Sequence, residues 1–339
     1  MKFLFYLLAL AAGIALGFSR GLLRRTWWRA IAAVVLIGVG ILGALQPPTV
    51  GTFRDAILEA KGSVPTVTVL IPQGGAVILN DTLLKCTDYA GTEVLCIVRN
   101  AKAVMAISKH TKTLLTGHSI SHNMFSITYF DDAPVLMLPH IPTLGEKARI
   151  MYFHVPSAWA GFFAFVVTMI FSVRYLRRGR PHDDTIAYGS ALVGTLFTAL
   201  AYISGAIWAK FNWGKFFNWD TRELSVLLLL AIYAAYFVLR ANTPAPARYR
   251  LAAVYAIVAS IAALFLIFIV PRITVSLHPG SKDDVNIGPI LSPEQDALDL
   301  TKAAVFSIML AGFTVLYSWM LSITARYHLL RQQILERVS

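Results

Sequence analysis

Long apolar runs separated by short polar segments dominate the pattern along most of this chain. A helix needs about 20 apolar residues to cross a bilayer. The pattern predicts seven membrane-spanning helices, at residues 3–18, 30–45, 152–174, 187–208, 223–239, 251–270 and 303–324. The first run is short for a span, but no good signal-peptide cleavage site follows it, so we interpret it as a retained helix.

Residues 47–140 have a different pattern, with short stretches rich in Val, Ile and Thr that are bounded by Gly, Asp and Asn. Such stretches are typical of β-strands. Strands are predicted at residues 66–71, 75–80, 83–87 and 93–98, and residues 104–130 continue in the same style. The segment therefore reads as a small β-rich domain inserted outside the membrane.

The two cysteines, Cys86 and Cys96, lie five residues on either side of Gly91. A hairpin centred on Gly91 would place them opposite each other, where a cross-strand disulfide would form in an oxidising compartment. Two free buried thiols are the open alternative. No Cys-x-x-Cys motif is present, so thiol chemistry on a partner is not indicated.

Composition agrees with a membrane protein, since 57% of the residues are hydrophobic, 14% are charged and the mean hydropathy is +0.63. The net charge of +12 comes mostly from arginines in alternate connections between the apolar runs. This distribution is the positive-inside signal, so it sets topology and makes nucleic acid a remote partner. It places the amino terminus and residues 46–148 outside.

The expected fold class is thus an all-α polytopic membrane bundle of about seven transmembrane helices with a small inserted β-rich extracytoplasmic domain. Its parts would be two amino-terminal transmembrane helices (1–46), the insert (47–140), a transmembrane core (141–325) and a cytoplasmic tail (326–339). The core carries the chemistry.

Four aromatic residues are crowded into one connection of the core, residues 213–222, which we call the aromatic loop. Trp213, Phe216 and Phe217 follow i, i+3, i+4 spacing, so in a helical turn they would share one flat apolar face. Asp220 followed by Glu223 resembles a capping box and predicts that a helix starts directly after Trp219. An ordinary interfacial aromatic belt is the alternative interpretation.

The aromatic loop resembles the tryptophan-rich signature of the haem-handling membrane proteins of cytochrome c maturation. Residues 204–210 and the His-Val-Pro-Ser-Ala-Trp motif at 154–159 resemble the CcmC branch of that family, and the resemblance covers roughly residues 142–325. Phe216 and Phe217 depart from the family pattern, which usually has tryptophans there. They keep a stacking surface but lack the indole N–H.

The resemblance implies a haem b site in which His154 and His278 are the axial iron ligands, with His140 as the runner-up for the second ligand. Two neutral imidazoles, an apolar surround and a nearby cation suit bound haem. The nearest candidate cations are Arg149, Lys210, Lys215 and Arg222. The implied haem-contacting residues are His154, His278, Trp213, Gly214, Phe216, Phe217, Trp219, Asp220 and Trp159.

By the same resemblance, the protein would sit in the inner membrane of a bacterium, with the haem site on the periplasmic side. Its partners would be a periplasmic haem chaperone and the ABC-type transporter subunits of the maturation system. It would be a haem-binding and transfer protein rather than a classical enzyme. The alternative is a polytopic transporter or assembly factor without haem, whose outer domain binds a protein partner. An intramembrane hydrolase is disfavoured, since no catalytic triad or metal-spaced set lies in the spans.

Overall fold

The computed structural model describes residues 2–19, 21, 24, 27–45, 49–59, 66–99, 101–109, 113–131, 138–139, 149–278 and 300–338. Its contacts divide the chain into two units, the first formed by Met1–Ala44 with Arg149–Ser339 and the second by Leu45–Ala148. The first unit is helical, and the second contains a β-sheet.

The described helices are α1 (Lys2–Phe18), α2 (Trp27–Leu45), α3 (Phe53–Glu59), α4 (Ala101–Lys109), α5 (Met151–Arg178), α6 (Pro181–Trp213), α7 (Thr221–Asn242), α8 (Ala247–Leu264), α9 (Val270–Ile273) and α10 (Leu300–Val338). A π-helical turn at Phe265–Ile269 joins α8 to α9. The tail predicted from residue 326 continues α10 without a break.

Six of these helices are long and apolar enough to cross a membrane: α2, α5, α6, α7, the continuous α8–α9 rod and α10. The prediction of a mostly helical, multi-pass membrane protein is therefore confirmed. The remaining predicted span, residues 3–18, corresponds to α1, which is apolar but shorter than the others.

Helix α1 lies along α10 and runs in the same direction. Tyr6 packs edge-on against Phe306, with ring centroids 5.2 Å apart, and Gly17 meets Ser318 further along both helices. A Cβ on Gly17 would stand 2.6 Å from the Ser318 hydroxyl oxygen, so the close approach of the two backbones requires glycine.

The end of the bundle opposite the aromatic loop is rich in arginine. Gly179, in a left-handed conformation (φ 65°), closes α5 there, and α6 begins two residues later. The buried Asp184 accepts two hydrogen bonds from Arg240, of 2.7 and 2.8 Å, and Asp183 lies 3.2 Å from Arg174. Paired carboxylates at this end join α6 to α5 and to α7.

The second unit contains a mixed eight-stranded sheet. Its strands are β1 (Thr49–Gly51), β2 (Val67–Ile71), β3 (Ala76–Asn80), β4 (Leu83–Thr87), β5 (Glu93–Ile97), β6 (Thr113–Ser121), β7 (Met124–Asp131) and β8 (Leu138–Pro139). Their order is β3-β4-β5-β7-β6-β2-β1-β8, with β1–β2, β1–β8 and β5–β7 parallel. The four strands predicted from the pattern are confirmed to within one residue at each end.

Residues 101–109 contradict the prediction of further strands from residue 104. They form α4, because Val104 and Ile107 recur at helical spacing and are buried while Met105 between them is exposed. The prediction missed a helix period that spans little more than two turns.

The hairpin that carries the cysteines has a different register from the one predicted. Hydrogen bonds across residues 88–92 close its turn, so Cys86 pairs with Val94 and Cys96 pairs with Leu84. The prediction that the cysteines lie directly opposite is therefore wrong. Both are free, fully buried thiols on the same face of the sheet, as in the alternative that the sequence left open.

Candidate functional site

Helical structure ends earlier in the aromatic loop than the spacing of its aromatic residues predicts. Helix α6 ends at Trp213 because Gly214 takes a left-handed conformation (φ 82°) and donates its N–H to the Lys210 carbonyl. The Lys210 ammonium group donates back to the Gly214 carbonyl at 2.8 Å. The predicted single helical face of Trp213, Phe216 and Phe217 is thus wrong, since the last two residues lie beyond the helix.

The aromatic side chains form two separate pairs instead of one surface. Trp213 packs edge-on against Trp208, with centroids 5.1 Å apart, while Phe217 packs against Trp219 at 5.0 Å. Trp219 is 78% exposed and has a left-handed backbone (φ 57°), which is strained for a residue with a side chain. Phe216 is also exposed and lies under the Lys210 ammonium group.

The acidic residues of the loop hold its conformation. Asp220 is the N-cap of α7 and accepts from the Arg222 N–H at 2.9 Å, so the predicted helix start is confirmed. Glu223 reaches back to the Asn218 N–H at 2.7 Å, two residues earlier than in a standard capping box. This bond fixes the backbone on both sides of the strained Trp219.

His154 lies in the first turn and a half of α5, where its ring packs against α6. A Cβ on Gly205 would stand 3.0 Å from His154 Cε1, so the glycine makes room for the ring. His154 Nδ1 lies 3.1 Å from the Ser204 hydroxyl oxygen. Ser204 donates its single hydrogen to the backbone carbonyls of residues 200 and 201, so it must accept from Nδ1–H. That tautomer leaves the Nε2 lone pair available to a metal.

His278 belongs to a short segment, residues 275–278, that returns from α9 towards the aromatic loop. Its ring lies 6.1 Å from that of Trp208. The segment is held by Asp220, whose two carboxylate oxygens accept from the Ser276 hydroxyl at 2.9 Å and from the Leu277 N–H at 2.7 Å. Asp220 therefore joins the aromatic loop to the segment that carries His278.

Both histidines contact the last turns of α6. His154 contacts Ser204 and Gly205, and His278 contacts Trp208, one turn further along. The structure thus brings His154, His278, Trp213 and Asp220 to one end of the bundle.

Trp159 stands apart from this group. Its indole N–H donates to the Thr314 hydroxyl on α10 at 3.2 Å, and its ring stacks on Phe163. The proposed role of Trp159 in binding haem therefore has no contact with the aromatic loop to support it. The runner-up His140 lies outside the described residues.

Positive charge lies beside His154. Arg222 is half-buried, its Nε has no hydrogen-bond partner among the described residues, and it lies within electrostatic range of His154, Asp220 and Arg272. The Asp220 oxygens are already occupied by N–H and O–H donors. An anionic group of a ligand would find compensating charge here.

Sequence reasoning gave no role to three residues that shape this region: Ser204, Trp208 and Ser276. Ser204 and Trp208 follow each other at i, i+4 on α6 and so face the same way, which was a readable signal. Ser276 precedes His278 by two residues, the spacing of a local side-chain turn onto a backbone N–H. Neither signal says which distant element the side chain meets.

Comparison with known proteins agrees with the resemblance found in the motifs. The sequence model of the family described as CcmC, heme exporter protein C, matches residues 97–338. Heme exporter protein C of Bradyrhizobium diazoefficiens is 30% identical over 194 residues, which cover 57% of this chain and 69% of that protein. The protein of the same name from Paracoccus denitrificans is 27% identical over 191 residues, 56% of this chain and 76% of that protein.

A shorter similarity extends beyond bacteria. The putative cytochrome c biosynthesis ccmC-like mitochondrial protein of Marchantia polymorpha is 39% identical over 89 residues, 26% of this chain and 39% of that protein. The chain thus spans less than half of that relative, although the identity there is higher.

Proposed function

The chain belongs to the heme exporter protein C (CcmC) family, whose model matches more than half of its length, and we propose that it binds haem b for cytochrome c maturation. In this proposal, His154 and His278 are the axial ligands and the aromatic loop contacts the macrocycle. The haem is then delivered to a periplasmic haem chaperone. The haem is cargo, so the protein binds and orients it without changing it chemically.

One observation supports this function most strongly. His154 on α5 and His278 on the segment that follows α9 are far apart in the sequence, yet both contact the Ser204–Trp208 stretch of α6. A bis-histidine site needs two neutral imidazoles at one place in an apolar surround. With Ser204 as the acceptor of Nδ1–H, His154 has its Nε2 lone pair free for a metal.

The surrounding side chains fit a large flat anionic ligand. Trp219 and Phe216 expose apolar rings at the same end of the bundle, and stacking on such rings suits a macrocycle. Arg222 offers a half-buried positive charge for the propionates. The exposed position of Trp219 would leave one haem edge open to a partner protein.

The proposed location is the bacterial inner membrane, with the haem site and residues 46–148 on the periplasmic side. Seven spans follow if α1 also crosses, and its parallel packing along α10 supports this count. The arginine-rich end of the bundle would then face the cytoplasm. The ABC-type transporter subunits of the maturation system are the proposed membrane partners.

The decisive experiment is the absorbance of the full-length protein purified in detergent. A bis-histidine site predicts a Soret band with the sharp visible bands of low-spin, six-coordinate haem. Changing His154 or His278 to Ala should leave five-coordinate haem that is held weakly, and added imidazole should restore six coordination.

The matched control is His122→Ala, since His122 is exposed in the turn between β6 and β7 and should not affect the spectrum. Protein that copurifies without haem, and that gains no Soret band on titration with hemin, would favour the transporter or assembly-factor function. An unchanged spectrum for His278→Ala together with a changed one for His140→Ala would move the second ligand to His140.

Sidedness needs a separate measurement. Lys215 is exposed in the aromatic loop and Arg180 is exposed at the opposite end of α6. Single cysteines at these positions, in whole cells, should react with a membrane-impermeant maleimide at 215 only. Labelling at 180 but not at 215 would invert the proposed topology.

A further inference from the structure

Asp220 does more than begin a helix. Building on the haem function proposed above, we propose that Asp220 and Ser276 form a clamp that sets the position of His278 and so determines how well this second ligand reaches iron. Both are positioning residues, because they act through His278 and do not themselves touch iron.

The clamp is a chain of hydrogen bonds in which each donor has one acceptor. The His278 N–H donates to the Ser276 hydroxyl oxygen at 3.1 Å, and that hydroxyl donates its own hydrogen to Asp220 at 2.9 Å. The Leu277 N–H donates to the other carboxylate oxygen at 2.7 Å. Two consecutive backbone N–H groups are thereby fixed directly before the imidazole.

The choice of a carboxylate supports the clamp. A helix N-cap needs one side-chain acceptor, and Ser, Thr or Asn supplies it as well as Asp does. Asp220 accepts three bonds, and only the one from Arg222 belongs to the helix. Asparagine at this position would have one acceptor oxygen and one NH₂ group. The NH₂ group is a donor, so it could not accept the hydrogen of Leu277 or Ser276 that faces it.

Burial strengthens these bonds. Asp220 is only 7% exposed, and hydrogen bonds to a charged acceptor are stronger than neutral ones, more so where water is excluded. A second tie runs from the Thr221 hydroxyl to the Val275 carbonyl at 3.1 Å. The segment that carries His278 is therefore attached to the N-cap and the first residue of α7 rather than to its own helix.

The experiment compares hydroxyl and carboxylate variants in the full-length protein loaded with hemin. Ser276→Ala should lower the ratio of six- to five-coordinate haem about tenfold, because one buried bond to a charged group is lost. Asp220→Asn should lower it further, about hundredfold, because two donors lose a charged acceptor. Ser276→Thr keeps the hydroxyl and should restore the ratio, and added imidazole should restore six coordination in every variant.

Thr274→Val is the matched control. Thr274 lies in the same stretch and its hydroxyl donates to the Val270 carbonyl of α9, at 2.7 Å. This variant also removes one hydroxyl bond but should leave the coordination ratio unchanged. Equal losses for Ser276→Ala and Thr274→Val would overturn the clamp, as would an unchanged ratio for Asp220→Asn.

Amide hydrogen exchange without haem tests the clamp independently of the proposed function. The N–H groups of Leu277 and His278 should exchange slowly in the wild type, about tenfold faster in Ser276→Ala, and unchanged in Thr274→Val. Slow exchange with no haem binding would retain the clamp and refute the haem function. Fast exchange in the wild-type protein would refute the clamp whatever the haem result.

Discussion

The two proposed iron ligands are held in opposite ways. His154 is part of a regular helix, and its ring is positioned by packing on Gly205 and by one hydrogen bond to Ser204. His278 lies on a segment outside any helix, and its backbone is positioned by Asp220 through Ser276. The hydrogen bond that positions His154 is made by its ring, whereas those that position His278 are made by its backbone, in addition to its ring contact with Trp208.

The difference suggests how the protein would keep and release haem under the proposed function. A ligand on a helix is rigid, since its position is fixed by the ladder of backbone bonds around it. A ligand on a short segment moves when two or three hydrogen bonds break. Such local opening costs much less free energy than unfolding a helix. We expect His154 to stay bound to iron and His278 to dissociate first.

The largest effect is expected where the ring of His154 has no room to move. Gly205→Leu should displace the ring, because even a Cβ there would lie 3.0 Å from Cε1. Haem affinity should fall about hundredfold, which corresponds to roughly 2.7 kcal/mol. Titration of the purified variant with hemin measures this loss.

Gly38→Ala is the control for that substitution. Gly38 is also a helical glycine, on α2, but a Cβ there would meet nothing within 4 Å. Haem affinity should stay the same and stability should rise slightly, since Ala is the better helix former. If Gly205→Leu binds haem like the wild type, His154 is not fixed by packing and the contrast between the two histidines fails.

The next largest effect should come from the aromatic loop, which lies beside the His278 segment. Trp219→Ala should weaken haem binding about tenfold, because roughly 1–3 kcal/mol of apolar contact is lost, and imidazole should not repair it. Its thermal stability should hold, since Trp219 is mostly exposed. Trp213→Ala should lose both affinity and stability, because Trp213 packs on Trp208.

The contacts around the two histidines show what the sequence alone could and could not predict. The apolar runs predicted the long helices and Asp220 predicted the start of α7, since both depend on neighbours close in the chain. Gly214 within the aromatic loop is a helix terminator that the sequence already contains, and it overrides the aromatic spacing that predicts a single helical face. The bond from Asp220 to Leu277 spans 57 residues, and local pattern carries no signal for it.

The hairpin of the second unit teaches the same lesson on a smaller scale. Centring the turn on Gly91 placed the cysteines opposite each other. The side chain of Asp88 accepts from the N–H groups of Ala90 and Thr92, and this shifts the centre of the turn by one residue. A shift of one residue at the turn moves the pairing by two, so Cys86 faces Val94.

A smaller effect is expected from the bond that fixes the tautomer of His154. Ser204→Ala removes the acceptor of Nδ1–H and should weaken haem binding about fivefold, the effect of about 1 kcal/mol. The loss should also raise the haem reduction potential, since an imidazole with a bound Nδ1–H donates more strongly and stabilises the ferric state. Spectroelectrochemical titration measures the potential.

Thr195→Val provides the comparison for Ser204→Ala on the same helix. Thr195 also donates its hydroxyl to a carbonyl four residues back, that of Ala191, but it does not contact His154. Its haem affinity and potential should match the wild type. A potential in Ser204→Ala that equals the wild-type value would mean that the bond to Ser204 does not tune the imidazole.

The smallest effect on haem is expected in the second unit, which supplies neither histidine. The pKa of the Cys96 thiol is raised, first by its hydrogen bond with Cys86 and then by burial, so the thiol stays protonated at neutral pH. Native protein should therefore react slowly with iodoacetamide, and faster as the pH rises towards that pKa, while denatured protein should take up two labels without reductant.

Cys96→Ala should cost this unit about 1 kcal/mol through the cavity it leaves, with no change in the haem spectrum. Two labels that appear only after reduction would establish a disulfide in place of the free thiols, and a changed spectrum would mean that the β-sheet unit helps to hold one of the histidines.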